Sequence, residues 1–254
     1  APIQEPPLQM KKIFKQLYRA YGAWLYPLSS MKPWRLGYVP YKFAAIRRAI
    51  EQGVLRDGVL PVGHGFRLDE RIVEYPWFFS RLPSGAGSLL DAGSVLNYDF
   101  LLSQPTLVNK RVFISTLAPE SECYWGKAVS YVYEDLRESC FRDNYFDWVA
   151  SLSTIEHIGL DNTMLYTQDQ AKCESNNDDY LAAVKEFRRV LKPGGTLYLS
   201  MPYGQHRNHG WFQIFDAKMV DRILNAFAPA EYQEFYFKYH ADGWVASDRE
   251  QSAG

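Results

Sequence analysis

SLLDAGSVLN, residues 88–97, is an apolar run that ends in an acid and then turns on a glycine. In open α/β sheets ligands sit beyond the carboxyl ends of the strands, so a strand that ends this way is placed to border a site. The further glycines of a phosphate- or nucleoside-binding loop are absent, and Val95 and Leu96 stand in their region. A β-branched residue resists positive φ and limits close backbone approach. A dinucleotide needs that approach for its pyrophosphate, and the acid that should follow about 20 residues later is not evident. A nicotinamide-dependent oxidoreductase is therefore disfavoured.

After Ser88, short apolar runs alternate with helical patterns. The runs are SLLDAG, RVFIST, AVSYVYEDL, FDWVASLS and TLYLSMP, followed by EYQEFYFKY and GWVAS. Strands separated by helices pair in parallel through right-handed crossovers. The last two runs are close enough to form only a hairpin, which predicts an antiparallel strand at the end of the sheet. Helices are predicted over 178–191, with Leu181, Val184, Phe187 and Leu191 as one stripe, and over 216–227. KPGG, 192–195, ends the first helix: Pro193 cannot continue it and Gly194 can take the left-handed terminal conformation.

Upstream, Pro27, Pro33 and Pro40 cut the chain into short helical pieces. PYKFAAIRRAIEQGVL reads as one helix, and RLDERIVEYPWFFSRL, 67–82, leads into the core. The organisation predicted is a basic helical extension, 1–65, and a main domain, 66–254. Residues 1–57 hold ten basic and three acidic side chains, net +7, and the rest of the chain carries −8. The arm LQMKKIFKQLYRAYGAWLYPL could lie on an anionic membrane or an acidic partner. The plainer alternative, favoured here, packs Ile13, Leu17, Tyr21 and Leu25 on the body and leaves the lysines solvated.

The 254 residues are 47% hydrophobic with net charge −1, an ordinary soluble composition in which no nucleic-acid partner is expected. No run of about 18 apolar residues predicts a transmembrane helix, and the N-terminus lacks the apolar core of a secretory signal. Cys123, Cys140 and Cys173 lack metal-type spacing and read as reduced, buried thiols of a cytoplasmic protein.

DAGS, EDLRESCFRDNYFDWVASLSTIEHIG and EFRRVLKPGGTLYLSMPYG together resemble the motif series of class I S-adenosylmethionine-dependent methyltransferases. More narrowly, they resemble bacterial methyltransferase-like proteins encoded with cell-surface polysaccharide genes. The resemblance covers about residues 66–250. It implies a Rossmann-like, doubly wound α/β fold with a seven-stranded sheet, and S-adenosylmethionine as cofactor. By position it puts Asp91, Gly93 and Ser94 under the methionine part, with the Asp91 carboxylate holding the ammonium directly or through backbone. Thr116 falls near the ribose, and Asp135 near the adenine amino group with the Leu136 backbone beside the ring. Ser151, Leu152 and Ser153 line the floor near the sulfonium. One departure stands out: at the end of the second run, STLAP has Ala118 where an acid would accept the ribose hydroxyls, with Glu120 and Glu122 a few residues on.

A neutral hydroxyl needs a base to become a methyl acceptor. His157, just past the fourth run, and His206 and His209, in GQHRNHGWF, are the candidates. Arg207, Trp211, Tyr236 and Trp244 are candidates for an acceptor pocket. No metal is expected, because the Glu-x-x-Glu-His run of some methyltransferases has Ser153 in place of its first carboxylate. The activity expected is methyl transfer to a hydroxyl of a small-molecule or glycan acceptor, in the cytoplasm or at the inner membrane face. The rival is a non-catalytic methyltransferase-like scaffold in glycan assembly, motivated by Ala118 and Val95.

Overall fold

The computed structural model describes residues 17–18, 21–28, 31–167 and 169–253. Its principal helices are α1 (Tyr38–Glu51), α2 (Arg71–Arg81), α3 (Tyr180–Val190) and α4 (Ala217–Phe227). Its strands are β1 (Gly87–Ala92), β2 (Lys110–Thr116), β3 (Val129–Tyr133), β4 (Phe146–Leu152), β5 (Leu191–Ser200), β6 (Arg207–Asn208), β7 (Gln213–Ile214), β8 (Tyr236–His240) and β9 (Gly243–Ser247). The chain forms two compact units. The described residues up to Arg81 with Phe237–Ala246 make the smaller, and Leu82–Tyr236 with the residues from Ser247 make the larger.

In the larger unit β1 to β5 form one wholly parallel sheet in the order β3-β2-β1-β4-β5. The central strands β1 and β4 are near-continuous buried runs, as strands covered on both faces must be. α3 buries Tyr180, Ala183, Val184, Phe187 and Val190, and these join Leu90, Phe146 and Val149 with Met219 and Ile223 of α4 in one core. The order runs outward from β1 in both directions, so the crevice at the carboxyl ends of β1 and β4 is the topological switch point.

The predicted seven-stranded sheet is corrected. All seven apolar runs form strands, but only five pair in this sheet; β8 and β9 pair with each other as a separate hairpin. Among the described residues no antiparallel strand joins the main sheet, and most of that hairpin belongs to the smaller unit. The Trp244 backbone N–H donates to the His64 carbonyl at 2.8 Å, its indole N–H to the Leu68 carbonyl at 3.0 Å, and the Arg67 N–H to the Tyr239 hydroxyl at 2.8 Å. Gly243, at φ 129, allows this approach, because a Cβ there would press on the backbone of Gly63 and His64. KPGG is corrected too. α3 stops at Val190, Leu191 pairs with Phe146, and the next pair is Trp148 with Thr196. KPGG thus bulges out of β5 and does not cap the helix.

In the smaller unit α1 packs on α2, which buries Ile72, Val73, Tyr75, Phe78 and Phe79. The 71–81 helix, assigned from sequence to the 66–254 domain, therefore sits with the helices before it. Residues 17–18 and 21–25 are helical. The predicted inward stripe is turned out: Leu17, Tyr21 and Leu25 are exposed, and Ile13 lies outside the described residues. The next positions along the helix face inward. Gly22 meets Gly37 and Pro40, and buried Tyr26 meets the rings of Tyr38 and Tyr41, at 5.8 and 5.1 Å between centroids. Gly22 turns this face inward because its missing side chain permits close approach, which the larger Tyr21 does not. The three cysteines, expected to be buried, are all exposed, since each falls on a connecting segment. No helix among the described residues is long and apolar enough to cross a membrane.

Candidate active site

The loop after β1 is shaped from within. Asp91 is fully buried, and its carboxylate accepts the N–H of Val95 at 3.1 Å and of Leu96 at 2.8 Å. Charge-assisted bonds of this kind are the stronger class, so one side chain does what a run of glycines would otherwise do. The Val95 and Leu96 side chains turn into the core. The Asp91 oxygens thus shape the loop from beneath.

Gly93, at φ 119, donates its N–H to the Ser115 carbonyl at 2.9 Å, and a Cβ there would lie inside the Thr154 side chain. Thr154, just past β4, was missed from sequence; its only signal was adjacency to Ser153. Ser94 follows at φ 60. β1 pairs with β4 through Asp91 and Ala150, so Ser151 lies one residue beyond that pair. The Ser94 and Ser151 hydroxyls are buried with no hydrogen-bond partner. Leu152 is buried, and Ser153, at φ 42, donates its N–H to Ser200. Two buried, unanswered hydroxyls at a switch point are what a polar ligand would satisfy.

β2 ends at Thr116, with Leu117 exposed and Ala118 beyond, so no acid stands at this strand end. At this end of the sheet the Glu134 carboxylate accepts from the hydroxyls of Ser115 and Ser139 and from the Cys140 N–H. Asn97 holds the Glu122 carbonyl at 3.0 Å and accepts the Tyr131 hydroxyl at 2.9 Å, which fixes the loop after β2. Asp135, implied as the adenine acceptor, is gripped by Arg137 at 2.6 Å, and Arg137 also reaches Glu174 and Asp179. Burial works to raise the Asp135 pKa, but the hydrogen bonds from Arg137 win and hold it below the usual carboxylate range. Leu136 is buried beside it. Arg137 lies in the EDLRESC stretch, but its grip on three carboxylates is visible only in three dimensions.

The histidines separate. His157 Nδ1 lies 2.8 Å from the Trp211 carbonyl, and its ring centroid 5.1 Å from that of Trp211. A carbonyl only accepts, so in the neutral ring Nδ1 carries the proton and Nε2 the basic lone pair. His209 stacks on Phe212 at 4.5 Å, and Phe212 lies 6.3 Å from His157. The Asp161 N–H also donates to the Gly210 carbonyl, at 3.1 Å, so the β6–β7 hairpin is tied to the segment after β4 in two places. His206 is elsewhere: it lines a polar cleft with Asp178, Lys218 and Arg222. Of the aromatic candidates, Trp211 is in the His157 group, Tyr236 meets Tyr203 at 4.9 Å, and Trp244 is in the smaller unit. Among the described residues no group of three or more His, Cys, Asp or Glu is arranged to hold a metal.

Residues 114–199 match the family model described as a methyltransferase domain, about a third of the chain. No curated protein matches the sequence. Among solved structures, the chain is similar to Burkholderia thailandensis 1,6-didemethyltoxoflavin-N1-methyltransferase with S-adenosylhomocysteine, at 17% identity over 94% of this chain and 84% of that one, TM-score 0.41. It is also similar to a complex of the Haloferax volcanii Trm112 activator with a methyltransferase, at 18% identity over 63% and 66%, TM-score 0.40. A third is Haemonchus contortus phosphoethanolamine N-methyltransferase 2 with S-adenosyl-L-methionine, at 16% identity over 62% and 35%, TM-score 0.41. The segment from β2 to β5 thus matches a methyltransferase domain, and the cofactor that this family implies is S-adenosylmethionine.

Proposed function

We propose that the protein transfers a methyl group from S-adenosylmethionine to a hydroxyl of a sugar or glycan precursor, with His157 as the base. The observation that carries the reading is the His157–Trp211 pair. The Trp211 carbonyl sets the tautomer, so Nε2 is the nitrogen able to take a proton. The indole beside it offers an apolar face of the kind that sugar rings pack against.

The residues fit the cofactor best at the β1–β4 end. Ser94 and Ser151 would bond its polar methionine end, and the Gly93 backbone would pass close to it. When bound, the cofactor supplies a methyl group on a positively charged sulfur. The chain supplies the rest: it fixes the loop through Asp91, holds the acceptor oxygen in line, and takes its proton at His157. Thr116 and the backbone of the loop after β2 would meet the ribose. The absence of an acid at 116–118 favours a second reading, a scaffold that keeps the fold without turnover.

The test is transfer from radiolabelled S-adenosylmethionine to sugars and nucleotide-linked sugars. Turnover lost in His157→Gln supports the assignment; undiminished turnover removes His157 as base, and binding without turnover on any acceptor favours the scaffold.

A further inference from the structure

The smaller unit exposes large apolar side chains on its first described helix and on the loop that follows it. Tyr21, Trp24, Leu25 and Leu28 are exposed on the first described helix and the turn after it, Trp24 by 67%. The loop that follows, Lys32-Pro33-Trp34-Arg35-Leu36, alternates charge and apolar bulk. Its Trp34 is 72% and its Leu36 79% exposed, and Lys32 and Arg35 are exposed between them. Met31 and Trp34 hold positive φ, 49° and 62°, a conformation that costs free energy in non-glycine residues.

We propose that this face docks on an anionic lipid surface. The composition selects that occupant. Tryptophan and tyrosine are the side chains that favour the membrane–water interface, where one part of the ring is apolar and another wet. The surrounding segment is strongly basic: residues 1–57 carry +7 in a chain of net −1. Basic residues beside an apolar aromatic face suit shallow insertion plus attraction to anionic headgroups. The face does not rest on the assignment of the active site, so either can fail alone.

The test is flotation of the full chain with vesicles of phosphatidylserine and phosphatidylcholine, against phosphatidylcholine alone, at physiological salt. Binding to the anionic vesicles, at least about tenfold stronger than to neutral ones, is expected. Trp24→Ser with Trp34→Ser should lower it by about tenfold or more. Trp34 also covers Lys42, whose ammonium lies 5.2 Å from the ring, so a second variant is needed that leaves packing alone. Lys32→Glu with Arg35→Glu, both at exposed positions, should lower binding similarly. No binding to either vesicle, equal binding to both, or unchanged binding in the charge variant would overturn the proposal. So would a dimer in sedimentation velocity that the tryptophan variant abolishes, which would make the face a contact between two copies.

Discussion

The Asp91 carboxylate, fully buried, accepts the Leu96 N–H at 2.8 Å while its other oxygen takes the Val95 N–H. A loop that lacks its glycines is thus held by one side chain. Asp91→Ala would strand two buried donors and should cost about 2–4 kcal/mol of stability, read as a lower urea midpoint. Asp91→Asn keeps one acceptor oxygen and should cost less. Full stability in Asp91→Ala with only cofactor affinity lost would mean that Asp91 serves the ligand and not the loop.

Gly93 and Thr154 occupy one small volume at the ends of β1 and β4. Gly93→Ala should destabilise by roughly 1–3 kcal/mol, from φ 119 and from collision with the threonine. Adding Thr154→Ala should recover part of that loss and leave the backbone term. A thermal melt of the double variant no better than the single one would show that the collision is not the cause.

The division of labour at the rim gives the histidines distinct outcomes. His157→Gln should lower turnover by about 10²–10⁴-fold with little change in cofactor affinity. His206→Gln should leave turnover nearly intact, because its ring donates to the Ile214 carbonyl in a separate cleft. Equal losses in steady-state assays of the two variants would contradict this geometry.

His64 links the smaller unit to pH. Burial pushes its pKa below the ordinary value, and its ring bonds the Ile72 carbonyl at 3.1 Å. The folded state therefore binds the proton less readily than the unfolded chain. The stability contributed by neutral His64 is full above the unfolded pKa, about 6.5, and is lost as pH falls below it toward the folded value. His64→Gln, which retains a donor for Ile72, should flatten this dependence in melts taken across that window.

Much of the fold was legible because it rests on periodicity. Every predicted strand exists, since each is a short apolar run bounded by turn residues. What failed was pairing: nothing in EYQEFYFKY or GWVAS says that Trp244 will bond His64 and Leu68, 176 residues apart in the second case. The arm failed for a related reason. Leu17, Tyr21 and Leu25 have helical spacing, but Gly22 decides which face closes on Gly37 and Pro40. At the site, the glycine turn and the serines at the end of β4 could be read from their place at strand ends. The direction of the Asp91 carboxylate, the grip of Arg137 on Asp135 and the seat of Thr154 could not, because side-chain direction is set by tertiary packing.

The central claim is that the β1–β4 crevice holds S-adenosylmethionine without an acid at the ribose. Calorimetric titration of the chain with S-adenosylmethionine and with S-adenosylhomocysteine tests it most directly. The account predicts saturable binding of both, with a Kd on the order of micromolar, weakened in Ser151→Val. No heat of binding from either compound at about millimolar concentration would contradict it.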